Sequence, residues 1–98
     1  MSLEEMTAKV KEKVGDESGL GATLKFAFED GTVIFVDATK SPNEVSNNDN
    51  DADCTLSMTV ANFQAMMDGD LDATMAYMSG KLKIDGNMGI AMKLGSVL

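Results

Sequence analysis

Cys54 is the most reactive side chain that this sequence offers, because the chain has one cysteine and no histidine. A cysteine becomes a nucleophile when a neighbouring base or cation stabilises its thiolate, and histidine is the usual base. Cys54 lies in a run of alternating polar and apolar residues, where it shares the apolar parity with Leu56 and Met58. We therefore expect Cys54 to be a buried packing residue rather than a catalytic nucleophile.

The segment 40–51 is rich in Asn and Asp, which are calcium ligands in other proteins. An EF-hand loop requires glycine at its sixth position and glutamate at its twelfth. Counted from Asn47, those positions hold Ala52 and Met58, and the register that starts at Asp49 fails in the same way. We therefore predict a solvated loop without a metal site.

The remaining enzyme motifs are also missing from the sequence. Gly80-Lys81 does not belong to a phosphate loop, because Met75 stands at the position of the first glycine and Leu82 at that of the hydroxyl residue. The sequence contains no Cys-x-x-Cys and no Gly-x-Ser-x-Gly. These observations favour a protein that is not an enzyme and that needs no cofactor.

Charge and length exclude further classes. Sixteen acidic and eight basic residues give a net charge of -8, so we expect no nucleic-acid partner, since binding to phosphate backbones depends on Lys and Arg. No apolar run approaches the roughly 20 residues of a membrane span, which predicts no stable membrane insertion. The 98 residues are enough for a single domain over 1–98. The single cysteine and the absence of a leader-like start favour a reducing, cytoplasmic setting.

Hydrophobic periodicity predicts four helices and four strands. Apolar residues at helical spacing, with capping residues before them, predict helices over 2–14 and 60–68, a short one after Asp72, and a last one after Asn87. Alternating residues predict strands over 23–29, 32–39, 53–58 and 81–85. The second strand is apolar on both faces, so we expect it to be central or covered twice.

The last helix is apolar on nearly all sides, since only Lys93 is charged between residues 88 and 94. Such a helix needs apolar neighbours on more than one side, yet a domain of this size has only one core. It therefore either contacts a partner or forms the wall of a cavity that a ligand fills.

The segment 80–94, Gly-Lys-Leu-Lys-Ile-Asp-Gly-Asn-Met-Gly-Ile-Ala-Met-Lys-Leu, resembles the sterol carrier protein type-two domain, the non-specific lipid-transfer family. The segments 52–59 and 63–69 share the resemblance. It implies an α+β fold with a five-stranded, mostly antiparallel sheet, helices over one face, and an apolar tunnel between the layers for fatty acids, acyl-coenzyme A or sterols. The end of the chain differs from the peroxisomal Ser-Lys-Leu signal, which favours a stand-alone bacterial form.

The chain departs from the family pattern at two places, which predicts a looser turn and a reshaped pocket mouth. Ala73 stands where the family commonly has proline, and Tyr77 and Met78 stand where aromatic residues recur.

Nine methionines supply flexible apolar side chains that can repack around ligands of different shape. We predict that helix and strand residues of this kind converge on a lipid-binding site. Its predicted members are Val36, Phe63, Met66, Met67, Met75, Met78, Leu82, Ile84, Met88, Ile90 and Met92. On composition alone, the same residues also fit an ordinary irregular core.

The predicted function is the binding and carriage of a lipid or acyl-chain ligand. Each buried methylene contributes roughly 0.8 kcal/mol, so a chain of about ten carbons is sufficient for micromolar binding. Lys81, Lys83 and Lys93 form a possible basic spot for coenzyme A phosphates, which the overall acidity opposes. The alternatives are an interaction module that presents acyl substrate to a partner enzyme or forms a weak homodimer through its last helix, and a domain with a filled core.

Overall fold

The computed structural model describes residues 2–15, 21–40 and 43–97. Four strands follow one another along the chain and two helices come after them, as in an α+β fold, so the predicted fold class is confirmed. In chain order they are α1 (Leu3–Val14), β1 (Thr23–Phe28), β2 (Val33–Asp37), β3 (Glu44–Ser46), β4 (Cys54–Met58), α2 (Val60–Met67), α3 (Ala73–Met78), β5 (Lys83–Gly86) and α4 (Met88–Val97).

The strands form one sheet in the order β3-β2-β1-β4-β5. Only β1 and β4 run parallel, and the other neighbouring pairs are antiparallel, as expected for a mostly antiparallel sheet. The parallel pair arises because the chain leaves β3 at one edge and returns across the sheet to the far side of β1. It places the carboxyl ends of β1 and β4 side by side.

One face of the sheet forms the core together with the helices. Strand alternation directs Leu24, Phe26 and Phe28 of β1 to this face, and the register aligns Leu24 with Val36 and with Cys54. Their side chains pack in one cluster with buried residues of all four helices. The buried helix residues in this cluster are Met6, Val10, Val14, Phe63, Met66, Met67, Ala76 and Ala91.

The opposite face of the sheet is partly covered by the loop that follows β3. Lys25 points away from the helices, and its ammonium group lies 2.8 Å from the Asp49 carboxylate. Phe35 on the same face is buried and shares a surface pocket with Asn48 and Asn50. This cover confirms that β2 is a central strand buried on both faces.

Several predicted strand bounds were wrong; the strand predicted over 32–39, for example, spans only Val33–Asp37. The segment 40–51 was expected to be loop throughout, but Glu44–Ser46 pairs with β2 as an edge strand. Three residues are too few for a strand to show its alternation in the sequence. The last strand begins at Lys83 instead of residue 81, because the backbone amides of Lys81 and Leu82 donate to the Ala76 carbonyl at 2.9 and 3.1 Å and hold a turn there.

Candidate functional site

A cleft of about 250 Å³ lies between α3, the segment that enters β5, and α4. Its walls are mainly apolar, and hydroxyl and carboxylate groups from the start of α3 lie at its rim. The lining residues are Asp72, Ala73, Thr74, Tyr77, Leu82, Ile84, Ala91 and Met92. A continuous tunnel between the layers remains a prediction.

The first wall of the cleft is held by hydrogen bonds at both ends of α3. The Asp72 carboxylate accepts from the Met75 amide at 3.3 Å and caps the helix, as its position in the sequence predicts. Beyond the helix, Gly80 adopts a positive φ of 80°, and the Ala76 carbonyl accepts from the next two amides. This turn reverses the chain and brings Leu82 back beside the helix.

The opposite wall depends on the joint between β5 and α4. Gly86 has a φ of 110°, and a Cβ atom at this position would lie 2.3 Å from the Asp53 carbonyl oxygen. That same oxygen accepts from the Asn87 amide at 3.1 Å. The Asn87 side chain then accepts from the Gly89 amide at 2.9 Å, which begins α4. Only glycine fits this approach, so Gly86 sets the direction in which α4 leaves the sheet.

Three of the predicted lipid-binding residues line this cleft. Leu82 is buried, Ile84 is half-buried, and Met92 is 53% exposed. The prediction omitted Ala73, Tyr77 and Ala91, which line the cleft as well. Signals for all three existed in the sequence: Ala91 shares a helical stripe with Met92, and Ala73 and Tyr77 occupy the positions that depart from the family pattern.

Four other predicted members are packed in the core and do not line the cleft: Val36, Phe63, Met66 and Met67. Phe63 has no exposed surface, and its ring contacts Phe26 and Phe28 edge-to-face at centroid distances of 5.4 and 5.2 Å. Such contacts are typical of a filled core. Direct contact of these four side chains with a lipid stays a prediction.

The last four predicted members lie on the helices beside the cleft without lining it: Met75, Met78, Met88 and Ile90. Ile90 is half-buried against the core, whereas Met78 is 76% exposed. Within the described ranges, as far as Lys93, the exposed large hydrophobic side chains all belong to α3 and α4. They are Met75, Tyr77, Met78, Met88 and Met92. We call this group the methionine surface.

The interior holds little reactive chemistry. Burial raises the pKa of the Cys54 thiol, and the charge of Asp85 raises it further. The thiol therefore stays protonated. In residues 2–15, 21–40 and 43–97 no three His, Cys, Asp or Glu side chains come together as metal ligands. Over the same ranges, as far as Lys93, no polar or charged residue is buried. The cleft can therefore recognise a ligand mainly by shape and apolar contact.

The sequence matches a known protein family and curated relatives. Residues 3–98 match the profile of the SCP-2 sterol transfer family. The human "Hydroxysteroid dehydrogenase-like protein 2" is 36% identical over 103 residues, which cover 99% of this chain and 25% of that protein. The human "Sterol carrier protein 2" is 40% identical over 81 residues, covering 76% of this chain and 15% of that protein. The chain thus spans a quarter or less of these two relatives.

Solved structures share the fold. The solution structure of palmitated SCP2L2 from Aedes aegypti superposes with a TM-score of 0.74 at 21% identity, covering 99% of this chain and 94% of that one. Among the described helices of the present chain, none has the length and apolar character needed to cross a membrane.

Proposed function

Because the chain belongs to the SCP-2 sterol transfer family, we propose that it binds the hydrocarbon part of a lipid in the cleft between α3, β5 and α4 and carries it through water without catalysis. The observation that carries this proposal is the methionine surface, which lies on the two helices that wall the cleft. Exposed apolar side chains at the mouth of an apolar cleft are typical of a binding site.

The size of the cleft indicates how a long chain would fit. Its 250 Å³ is slightly below the range of about 300–1,000 Å³ that is common for ligand pockets. A long acyl chain must therefore either separate α3 from α4 or continue along the methionine surface. Separation costs little, because Ala76 is the only buried residue of the six-residue helix α3. Methionine side chains can follow the new shape by changing rotamers.

The proposed ligand class is a lipid with one long apolar chain or a sterol-like ring system, such as a fatty acid, an acyl-coenzyme A or a sterol. The hydroxyls of Thr74 and Tyr77 line the cleft and make no hydrogen bond within the described part of the chain. They can bind a polar head group at the rim. The palmitate in the Aedes aegypti protein of the same fold makes palmitate a suitable first probe.

The direct test is displacement of a fluorescent fatty acid by unlabelled fatty acids of 12 to 18 carbons. We expect saturable binding with micromolar affinity, since each methylene that leaves water contributes about 0.8 kcal/mol. If no chain in this series displaces the probe, the proposal is wrong.

A matched pair of variants locates the site. Met92→Gln changes a side chain that lines the cleft, whereas Met78→Gln changes a more exposed methionine that does not. We expect Met92→Gln to weaken palmitate binding about fivefold to tenfold and Met78→Gln to weaken it by a smaller factor, because Met78 can contact only the part of a long chain that extends beyond the cleft. Because both side chains are more than half exposed, neither change should lower the urea midpoint appreciably. Equal effects of the two changes on affinity would remove the cleft as the site.

A second candidate function is the presentation of acyl substrate to a partner enzyme, or self-association through α4. The observation that favours it is that the curated relatives are at least about four times longer than the matched segment, so the domain occurs beside other segments. Native mass spectrometry of freshly purified protein separates the candidates. A lipid adduct supports carriage, and a dimer mass supports self-association. The absence of both masses supports a filled, unused core.

A further inference from the structure

A second cavity lies on the other side of the segment that enters β5. This groove of about 480 Å³ is found at the adjacent carboxyl ends of β1 and β4, next to the first turn of α2. Its floor is apolar and its rim is polar. Its lining includes Ala27, Phe28, Ser57, Met58, Lys81 and Lys83.

Strand parity separates the groove from the cleft. Leu82 and Ile84 line the cleft, whereas Lys81 and Lys83 line the groove. The two cavities therefore share one short segment as their dividing wall but have no lining residue in common. A ligand in the groove contacts different side chains from a lipid in the cleft.

Three hydrogen-bond donors that line the groove have no partner among the described residues. The ammonium groups of Lys81 and Lys83 form no ion pair there, unlike those of Lys9 and Lys25. The half-buried Ser57 hydroxyl makes no hydrogen bond within the same ranges. Two unpaired cations and a free hydroxyl at one cavity are notable in a chain with a net charge of -8.

One carboxylate opposes an anion in the groove. Glu29 lines the groove, and its carboxylate accepts from the Val60 amide at the start of α2 at 2.9 Å. That hydrogen bond holds the carboxylate against the helix, where its charge is partly compensated by the helix dipole. Glu29 therefore weakens anion binding without blocking the two lysines.

We propose that this groove is a second binding site, which takes a phosphate-bearing amphiphile. The phosphate lies between the ammonium groups of Lys81 and Lys83 and accepts from the Ser57 hydroxyl, while the apolar part of the ligand packs on Phe28 and Met58. A phosphate carries up to two negative charges and three acceptor oxygens, which match two lysines better than a carboxylate does. This site is independent of lipid carriage in the cleft.

The test is a titration of the full chain with hexyl phosphate at low salt, followed by NMR and calorimetry. Inorganic phosphate and hexanol are the comparison ligands, because they carry only the anionic or only the apolar part. We expect hexyl phosphate to bind more tightly than either and to shift the amide signals of Ala27 and Ser57. Binding should weaken about tenfold or more in the double variant Lys81→Gln, Lys83→Gln.

Three controls make the result specific. The double variant Lys11→Gln, Lys13→Gln removes two exposed lysines of α1 and should leave binding within about twofold, because neither residue lines the groove. Glu29→Gln keeps an acceptor for Val60 and should tighten binding. Met92→Gln should have no effect, so failure of lipid carriage and failure of this proposal are distinguishable.

Three outcomes overturn the proposal. They are unchanged affinity in the Lys81, Lys83 double variant, equally tight binding of inorganic phosphate and hexyl phosphate, and signal shifts that centre on Ile84 and Ala91 of the cleft. Binding should also weaken as the pH falls below about 6, where the phosphate loses its second charge.

Discussion

The Cys54 side chain faces the core from β4, paired across the sheet with Leu24 of β1. Burial raises the pKa of the thiol, and the nearby charge of Asp85 raises it further. Since the thiolate is the reactive form, both effects suppress its chemistry. The residue contributes packing, as its parity in the sequence predicts.

We expect a thiol reagent to modify Cys54 in the native protein at least about a hundredfold more slowly than in urea. This ratio corresponds to an opening free energy of roughly 3 kcal/mol for a central strand. The parity control is the double variant Cys54→Ala, Ser57→Cys, because residue 57 is half-buried on the opposite face and should react faster. Equal rates at the two positions would contradict the strand assignment.

Substitution of Phe63 distinguishes a role in the core from a role in the lipid-binding site. Phe63→Leu removes two edge-to-face ring contacts from a fully buried position. We expect a loss of about 1–3 kcal/mol in the free energy of unfolding, measured from the urea midpoint. Palmitate affinity should stay within about twofold at temperatures where the variant is folded. A large loss of affinity with an unchanged midpoint would place Phe63 in the lipid site.

At the scale of elements, the joint between β5 and α4 controls the shape of the cleft. Gly86→Ala introduces a Cβ atom against the Asp53 carbonyl and forces a positive φ on alanine, so we expect a loss of about 2–4 kcal/mol in stability. Gly80→Ala is the matched control, because its φ is also positive at 80° but the space around it is open. Circular dichroism during urea unfolding measures the stability of both variants.

The control should lose only about 1 kcal/mol, which is the strain of the backbone conformation alone. Equal losses in the two variants would show that close contact with Asp53 does not hold the joint. If the Gly86→Ala variant remains folded, weaker palmitate binding would show that the position of α4 affects the cleft.

For the whole molecule, lipid binding should appear as thermal stabilisation. A ligand that binds only the folded protein adds about 2.7 kcal/mol when its free concentration is a hundred times its Kd. For a domain of 98 residues, this corresponds to a rise in Tm of roughly 10–20 °C. Thermal unfolding with and without palmitate measures it, and Met92→Gln should show a smaller rise at the same palmitate concentration. No rise in either protein would contradict lipid binding.

Much of the fold could be predicted from single elements. Alternation placed Leu56 and Met58 on the buried face of β4, and the side chains of Ser2, Thr59 and Asp72 cap the helices that they precede. Strand periodicity and capping depend on residues within a few positions of one another, so they can be predicted from the sequence alone. The family resemblance implied a fifth strand without locating it, and periodicity missed it because Glu44–Ser46 is too short to show a pattern.

Only the tertiary structure shows which methionines are buried and which are exposed. Met66 and Met67 are packed in the core, while Met75 and Met78 are exposed, although all four lie in short apolar stretches. Periodicity shows which face of a helix is apolar, but the cover over that face comes from distant parts of the chain. The same limit applies to the cleft, because its lining residues come from α3, the segment that enters β5, and α4, and only the packing of these elements leaves a gap between them. The sequence by itself therefore determined the elements and their apolar faces, and the packing between elements decided which apolar side chains remain available to a ligand.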